Sequence, residues 1–386
     1  MNIKETDNQF VAHSYGRFDV ALVNGKGSTA YDEQGQQYID FGSGIGVTAF
    51  GFCDGEWKSA VEEQLSKLQH TSNLYYTEPC AKLAELLCEK TGMKKVFFAN
   101  SGAEANEGAI KFARKYSADK YGSDRHTIIT LVNSFHGRTI TTLAATGQDV
   151  FHKDFLPLTD GFKYCPANDI EALNNMITDD VCAIMFECVQ GEGGVNSLDY
   201  DFVKAIEKIA KDKDILMICD EVQTGNGRTG RYFAYENFDI KPDIVSTAKG
   251  LAGGLPMGAV LFGDKVKDIV TPGSHGSTFG GNPVCAAGAV SIVSRIDDAF
   301  LNSVSEKSRY IKEFLANVNG VKSISGMGLM LGIETEKNAK GIADECLKNG
   351  LLVLTAKTKV RLLPALNISY DELNKGLKIL KEIIEK

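Results

Sequence analysis

The chain has 386 residues, a formal net charge of −8 at pH 7, 43% hydrophobic residues and 24% charged residues. This composition is that of an ordinary globular protein, with enough chain for about two domains. The negative charge argues against nucleic acid or an anionic membrane as the main partner.

The beginning of the chain and its cysteines indicate a cytoplasmic protein. Residues 1–7 contain no apolar segment of a signal peptide, and no later apolar run is long enough to span a bilayer. The nine cysteines are an odd number, and no Cys-x-x-Cys pair occurs. Cys182, Cys188 and Cys219 lie in or beside apolar runs, where free cysteine usually belongs to the core. We therefore expect a reducing compartment, no disulfide framework and no metal site.

Short apolar runs alternate with helical stretches across the middle of the chain, after about 60 irregular, glycine-rich residues. The runs predict strands at 95–99, 127–132, 182–187, 215–219, 243–246 and 259–263, with helices between them that include 104–116 and 200–211. The runs are continuously apolar rather than alternating, which indicates strands buried on both faces. A mostly parallel sheet is the expected result.

The last third of the chain has a different pattern. Asn282-Pro283 begins a helical stretch that runs to about residue 295, and the pattern then becomes helix, short strands, helix. Apolar spacing predicts one helix over about 304–318. A second is predicted over about 373–384, entered through a capping box formed by Ser369 and Glu372.

Asp220 and Lys249 carry the strongest chemical signal. Asp220 ends the strand predicted at 215–219, and Lys249 follows the strand predicted at 243–246. Ligands of parallel sheets bind beyond the carboxyl ends of the strands, and Glu187 lies at the carboxyl end of the strand predicted at 182–187. A lysine amine can hold pyridoxal phosphate covalently, and a buried acid can keep the pyridine nitrogen protonated so that the ring accepts electrons. Both residues are therefore predicted to be catalytic.

Residues 100–107, Asn-Ser-Gly-Ala-Glu-Ala-Asn-Glu, follow a predicted strand and open a predicted helix. A capping box between Ser101 and Glu104 would by itself explain the pattern. The free amides of a helix start, together with a hydroxyl, also bind phosphate, and Gly102 allows close approach of the backbone. With Lys249 further along the chain, we interpret Ser101, Gly102 and Ala103 as a phosphate cradle.

Gly225–Gly230 matches the Gly-x-Gly-x-x-Gly pattern of dinucleotide-binding proteins. Residues 220–224 separate this match from the end of its strand, and no clear helical entry follows it. The pattern requires its first glycine at the strand–helix turn itself. We therefore reject a dinucleotide site here.

Together these motifs resemble those of the class III aminotransferases, and within them those of the enzymes that act on acetylornithine. The resemblance extends nearly from end to end. It implies an α/β protein of the fold type I pyridoxal phosphate architecture: a large domain around a mostly parallel sheet and a smaller α/β domain from both termini. The expected boundaries are 1–60 and 296–386 for the small domain and 61–295 for the large, cofactor-binding domain.

The resemblance also implies roles for residues around the cofactor. Phe135 would stack on the pyridine ring, and Gln223 would hydrogen-bond to its phenolic oxygen. Thr278, in the turn at 276–283, would reach the cofactor phosphate of the other subunit, which makes a homodimer the minimal active unit. His136, beside Phe135, receives no chemical role from the sequence.

For the substrates, the resemblance implies that Arg138 binds a carboxylate, a task suited to its planar fork. Glu192 would pair with Arg361, and an arginine inside an apolar run needs such a partner on physical grounds too. Ser277 is a further expected substrate contact. Glu192 would neutralise Arg361 when acetylornithine reacts, and would swing aside when the α-carboxylate of glutamate needs that arginine.

The implied function is a ping-pong exchange of the terminal amino group of N-acetylornithine with 2-oxoglutarate, which yields glutamate and belongs to arginine biosynthesis. Succinylornithine, ornithine and 4-aminobutyrate transaminases share almost every residue named above, and an aminomutase of the same fold is a further alternative. His136 favours the acetylornithine enzymes, because ornithine aminotransferases are expected to have tryptophan there. Lys249, Asp220 and the two arginines argue against a catalytically silent binding protein.

Overall fold

A computed structural model describes residues 2–386. The part of the chain before the large sheet contains the helices α1 Ile3–Phe10, α2 Ser43–Gly46, α3 Gly55–Lys67 and α4 Glu78–Thr91, and the strands β1 Leu22–Lys26, β2 Thr29–Asp32 and β3 Gln37–Asp40. The last part contains α10 Asp298–Ala316, β13 Val321–Met327, β14 Met330–Thr335, α11 Ala339–Lys348, β15 Leu351–Leu352, β16 Leu354–Ala356, β17 Lys359–Leu362 and α12 Tyr370–Glu385.

Between these parts lies a seven-stranded sheet with its covering helices. Its elements, with a short hairpin β8–β9, are β4 Lys95–Ala99, α5 Gly102–Tyr121, β5 Thr127–Leu131, α6 Ile140–Ala145, β6 Phe162–Cys165, α7 Ile170–Met176, β7 Val181–Phe186, β8 Val189–Gln190, β9 Asn196–Ser197, α8 Tyr200–Lys213, β10 Leu216–Asp220, β11 Ile244–Thr247, β12 Gly258–Phe262 and α9 Pro283–Ser294.

The large sheet has the strand order β4-β12-β11-β10-β7-β5-β6. Its neighbouring strands pair in parallel except at β12, which runs antiparallel to both β11 and β4. The prediction of a mostly parallel sheet is therefore confirmed. The six predicted strands lie within two residues of the observed bounds, but β6, a half-buried edge strand, was not predicted.

Burial explains why these segments form this sheet. Every residue of β5, β7, β10, β11 and β12 is buried, as expected for strands covered on both faces. The helices α5 and α8 cover the sheet with one apolar side each; α8 buries Phe202, Val203, Ile206 and Ala210 at helical spacing. The carboxyl ends of the six parallel strands therefore meet at one protected edge.

The two ends of the chain pack together. The strand β15 pairs in parallel with β3, where Leu351 lies opposite Ile39, and α12 packs beside the buried Phe41. The capping box predicted at Ser369 and Glu372 is present at the start of α12. This packing agrees with a small domain from both termini, while the boundaries at 60 and 295 stay predictions. None of the helices in residues 2–386 is both long and apolar enough to cross a membrane.

The contact between α12 and Phe41 generates a stability prediction. A Cβ atom at Gly376 would lie 2.3 Å from Cζ of Phe41, a ring with no exposed surface on which to retreat. We expect Gly376→Ala to lower the free energy of unfolding by about 1–3 kcal/mol through overpacking. Gly341→Ala on α11, where a Cβ would meet nothing within 4 Å, is the matched control and should not destabilise. Urea unfolding of both variants measures the difference.

Candidate active site

A cavity of about 550 Å³ opens at the carboxyl edge of the large sheet. Ser101 follows β4, Phe135 follows β5, Glu187 follows β7, Asp220 ends β10 and Lys249 follows β11, and all five line this cavity. These residues are far apart in the chain, but the strands before them are parallel, so their carboxyl ends meet at the same edge of the sheet. The structure thus brings together residues that the sequence identified one motif at a time.

Lys249 begins a short 3-10 turn, Lys249–Ala252, directly after β11. Its φ of 46° lies in the left-handed region, which is strained for a residue with a side chain and is found most often at functional sites. The preceding residue is fixed because Asn226 Nδ2 donates to the carbonyl of Ala248 at 3.1 Å. Burial lowers the pKa of the Lys249 amine, although the charges of Glu192 and Asp220 oppose that shift. A larger fraction of this amine is therefore unprotonated near neutral pH than of an ordinary lysine.

Asp220 is held at both of its carboxylate oxygens. Its Oδ2 lies 2.8 Å from Nδ2 of Asn106 and 2.7 Å from Nδ1 of His136, and its Oδ1 accepts from the amide of Val222 at 3.0 Å. When Asp220 is ionised, the short contact requires a proton on His136 Nδ1. His136 thus gains a place in the site, and Asn106 is a member that sequence reasoning missed. The sequence signal that could have found it is an asparagine near the start of the helix predicted at 104–116.

Glu187 is a second buried carboxyl group in the cavity. Its Oε2 accepts from the amide of Phe135 at 3.1 Å, which ties the end of β7 to the loop after β5. Burial and the neighbouring charge of Asp220 raise its pKa well above the ordinary value of 4.5, since two adjacent carboxylates resist double ionisation. Sequence reasoning noted the position of Glu187 without giving it a task.

The start of α5 has the features of an anion site. Ser101 is the N-cap, and its Oγ accepts from the amide of Glu104 at 3.1 Å. The first bond within the helix starts at Ala105, so the amides of Gly102 and Ala103 have no partner within the helix. A Cβ atom at Gly102 would lie 2.6 Å from Cγ1 of Val222, which explains the glycine. The free amides, the partly buried Lys249 and the buried Asp220 fit pyridoxal phosphate.

Arg361, on β17 of the sheet β13-β14-β17-β16, lies next to the cavity and contacts Gln223, which lines it. Its Nη1 lies 2.6 Å from Oε1 of Glu192 and 3.1 Å from Oε1 of Gln223, and Gln223 Nε2 also donates to Glu192 at 3.2 Å. The pairing predicted between Glu192 and Arg361 is therefore present. Burial works to raise the pKa of Glu192, but the charge and hydrogen bond of Arg361 outweigh it, so that pKa lies below its ordinary value.

Phe135 and Arg138 both line the cavity. The guanidinium carbon of Arg138 lies 5.4 Å from the centre of the Phe135 ring and 4.1 Å from that of Phe151. Phe151 is a neighbour that sequence reasoning did not identify, and no local pattern marks it. Tyr15 also lines the cavity and was not predicted.

Ser277 and Thr278 do not line this cavity. Ser277 Oγ accepts from Nδ2 of Asn100 at 3.1 Å and from the amide of Gly280 at 3.0 Å, and Thr278 is exposed beside it. The side chains next to this turn include the exposed aromatics Phe279, Tyr75 and Tyr76. An exposed apolar surface of this kind is typical of an interface.

Comparison with known proteins agrees with this geometry. The family model described as "Aminotransferase class-III" matches residues 10–384. The acetylornithine aminotransferase of Haemophilus ducreyi is 53% identical over 100% of this chain and 98% of its own length, and that of Methanocaldococcus jannaschii is 45% identical over 98% and 97%.

Solved structures give the same result for the fold. The ornithine aminotransferase of Toxoplasma gondii superposes with a TM-score of 0.94 at 30% identity and covers 99% of this chain and 94% of its own. The N-acetylornithine aminotransferase of Stenotrophomonas maltophilia superposes with a TM-score of 0.85 at 35% identity, with 98% of each chain covered. The predicted family and the fold type I architecture are confirmed.

The raised pKa of Glu187 predicts a pH dependence of stability. The folded protein holds this proton more tightly than the unfolded chain, whose carboxyl has the ordinary pKa of 4.5. The contribution of Glu187 is therefore complete below that pH and is lost as the pH rises through the folded-state pKa. As the pH rises, we expect the free energy of unfolding of the wild-type apoprotein to fall relative to that of the Glu187→Gln apoprotein. The fall should be at most about 1.4 kcal/mol per pH unit. Urea unfolding at a series of pH values measures this difference.

Glu63→Gln is the matched control for that experiment. The hydrogen bond and charge of Lys67 lower the pKa of Glu63, so its contribution is present at neutral pH and is lost as the pH falls. The stability difference between the wild type and Glu63→Gln should change with pH in the opposite direction. The change should be small, because the pair of Glu63 and Lys67 is exposed. A stability difference between the wild type and Glu187→Gln that does not change with pH would contradict the interpretation of Glu187.

Proposed function

The chain belongs to the class III aminotransferases, a family dependent on pyridoxal phosphate, and we propose that it exchanges the terminal amino group of N-acetylornithine with 2-oxoglutarate, a step of arginine biosynthesis. The name shared by relatives up to 53% identical supports this donor. The observation that carries the proposal is the arrangement of two arginines, Arg138 in the lining of the cavity and Arg361 in contact with Gln223, which also lines it. Arg361 is paired with Glu192, whereas Arg138 is stacked only on aromatic rings.

These two arginines suit a pair of substrates that differ at the reacting end. Glutamate has a carboxylate beside its reacting carbon, which Arg361 would bind once Glu192 has moved aside. The terminal amine of acetylornithine has none, and Glu192 would then stay on Arg361 and prevent an unpaired buried charge. Arg138 would bind the remote carboxylate of either substrate, and a bidentate contact would fix its orientation.

Pyridoxal phosphate, when bound, supplies the electron sink that makes loss of a proton from the amine-bearing carbon feasible. Lys249 would hold it covalently, and the Lys249 Nζ, once displaced by the substrate amine, would be the group that takes up and returns this proton. Ser101, Gly102 and Ala103 would hold its phosphate, Phe135 would stack on its ring and Gln223 would contact its phenolic oxygen.

Asp220 would keep the pyridine nitrogen protonated, which requires a carboxylate of fixed orientation. The contacts of Asn106 and His136 on its Oδ2 support this role, because two donors on one oxygen leave the group little freedom to rotate. We therefore assign His136 and Asn106 the task of positioning Asp220.

A homodimer with Thr278 acting in trans completes the proposal. Ser277 and Thr278 lie outside the cavity of their own chain, and the exposed aromatics beside them support contact with a second subunit. Thr278 would bind the phosphate in the site of that subunit, with Ser277 near its substrate. Nine cysteines without a disulfide, including Cys188 and Cys219 with sulfur atoms 3.7 Å apart, support a reducing compartment such as the cytoplasm.

A donor panel tests the proposed substrate. Initial rates against 2-oxoglutarate should give the highest kcat/KM with acetylornithine, above succinylornithine, ornithine and 4-aminobutyrate. The ornithine enzyme of Toxoplasma gondii has the same fold, so only such rates separate these donors. Lys249→Ala is the background control. A clear lead of another donor would reject acetylornithine while leaving the aminotransferase assignment intact.

Glu192→Ala should affect the two half-reactions in opposite directions. Glutamate should react as fast or faster, because its α-carboxylate no longer competes for Arg361. Acetylornithine should react more slowly, by roughly tenfold or more, since an uncompensated buried charge costs about 3–5 kcal/mol before water enters. Single-turnover kinetics on each half-reaction measures this, and Glu192→Gln, which keeps the size of the side chain, should be intermediate. Equal slowing of both half-reactions would make Glu192 a structural loop residue.

A further inference from the structure

Arg138 is held at the cavity by aromatic rings. Its guanidinium carbon lies 4.1 Å from the centre of the Phe151 ring and 5.4 Å from that of Phe135, and the two rings meet edge to face at 5.8 Å. Distances below about 6 Å are those of cation–π contacts. Such contacts leave the donors at the edge of the guanidinium plane free to bind a carboxylate.

Phe151 lies behind Arg138 and does not line the cavity, whereas Phe135 and Arg138 do. It closes a short 3-10 turn, Asp149–Phe151. The next residue, His152, is buried and fixes that turn, because its Nε2 lies 2.9 Å from the carbonyl of Leu143 and 2.7 Å from that of Thr146. The ring of Phe151 is therefore a rigid support for the arginine and is separated from a bound substrate.

We infer that Phe151 is a positioning residue that orients Arg138 for the remote carboxylate of the substrate, and thereby sets the preference of the enzyme for amines and keto acids that carry this group. The inference rests on the proposed function, which gives Arg138 that carboxylate. Arginine has a long side chain with many rotamers, and ordering it before the ligand arrives reduces the entropy lost on binding. Without the Phe151 ring, the Arg138 side chain would lose this entropy each time a substrate binds.

The position of Phe151 determines which kinetic constants should change. Since the ring contacts Arg138 and lies outside the cavity, its loss should weaken binding of substrates that use the arginine and leave the chemical step unchanged. KM should rise and kcat should stay the same. Substrates without the remote carboxylate should be unaffected.

Phe151→Leu tests this with two matched donors, acetylornithine and N-acetylputrescine, which differ only in the carboxylate. We expect the ratio of their kcat/KM values to fall about fivefold, equivalent to about 1 kcal/mol. Phe151→Tyr keeps the aromatic face and should restore the wild-type ratio. Because the ratio is taken on one protein sample, a change in the folded fraction does not alter it.

Two further variants make the test specific. Phe155→Leu removes an exposed ring of the same segment that has no contact with the guanidinium, and should leave the ratio unchanged. In an Arg138→Ala background, Phe151→Leu should have no additional effect on the ratio, since both changes remove the same interaction. An unchanged ratio in Phe151→Leu, or an equal change in Phe155→Leu, overturns the inference.

Measurements with two keto acids distinguish a failure of this inference from a failure of the proposed donor. If the wild type does not use acetylornithine, the donor is wrong, and the same ratio is then taken with 2-oxoglutarate and 2-oxopentanoate, which lacks the remote carboxylate. A selective loss for 2-oxoglutarate in Phe151→Leu supports the role of Phe151. An equal loss for both keto acids, or none, overturns it.

Discussion

The site depends on a balance of charges among neighbouring side chains. Arg361 is buried and Lys249 is partly buried, and the carboxyl groups of Asp220, Glu187 and Glu192 lie around them. Each would be costly to bury alone. Burial lowers the pKa of Lys249 while Glu192 and Asp220 oppose it, and Glu187 responds with a raised pKa. Removing any one of these groups would therefore change the electrostatic environment of the others.

The sheet is what brings these charges together. Asp220 ends β10 and Lys249 follows the neighbouring parallel strand β11, and Asp220 lies opposite Ser246 in register. Glu187 follows β7 on the other side of β10. A shift of one residue in either pairing would turn a charged side chain away from the cavity and into the apolar core. The continuous burial of these strands therefore maintains both the core and the geometry of the site.

The fold and the cavity were predictable where the signal was local. Continuous apolar runs gave strand bounds within two residues, and an arginine in an apolar run implied a partner, which is Glu192. The predictions failed where contacts depend on packing between distant segments. The strand β6 is short and half buried, so its apolar signal is weak. Asn106 and Phe151 meet their partners only after α5 and the turn before His152 have packed on the sheet.

The two arginines of the site have different partners, and the difference bears on the proposed selectivity. A carboxylate partner competes with an incoming carboxylate, so on the proposed function Arg361 would be available only after Glu192 has moved. An aromatic partner contacts the face of the guanidinium and leaves its edge donors open, so Arg138 needs no such exchange. On the proposed function, Arg361 would bind a substrate only after its partner has moved, and Arg138 would be available throughout. A site with both would accept a common remote carboxylate and distinguish substrates that have a second carboxylate at the reacting carbon from those that do not.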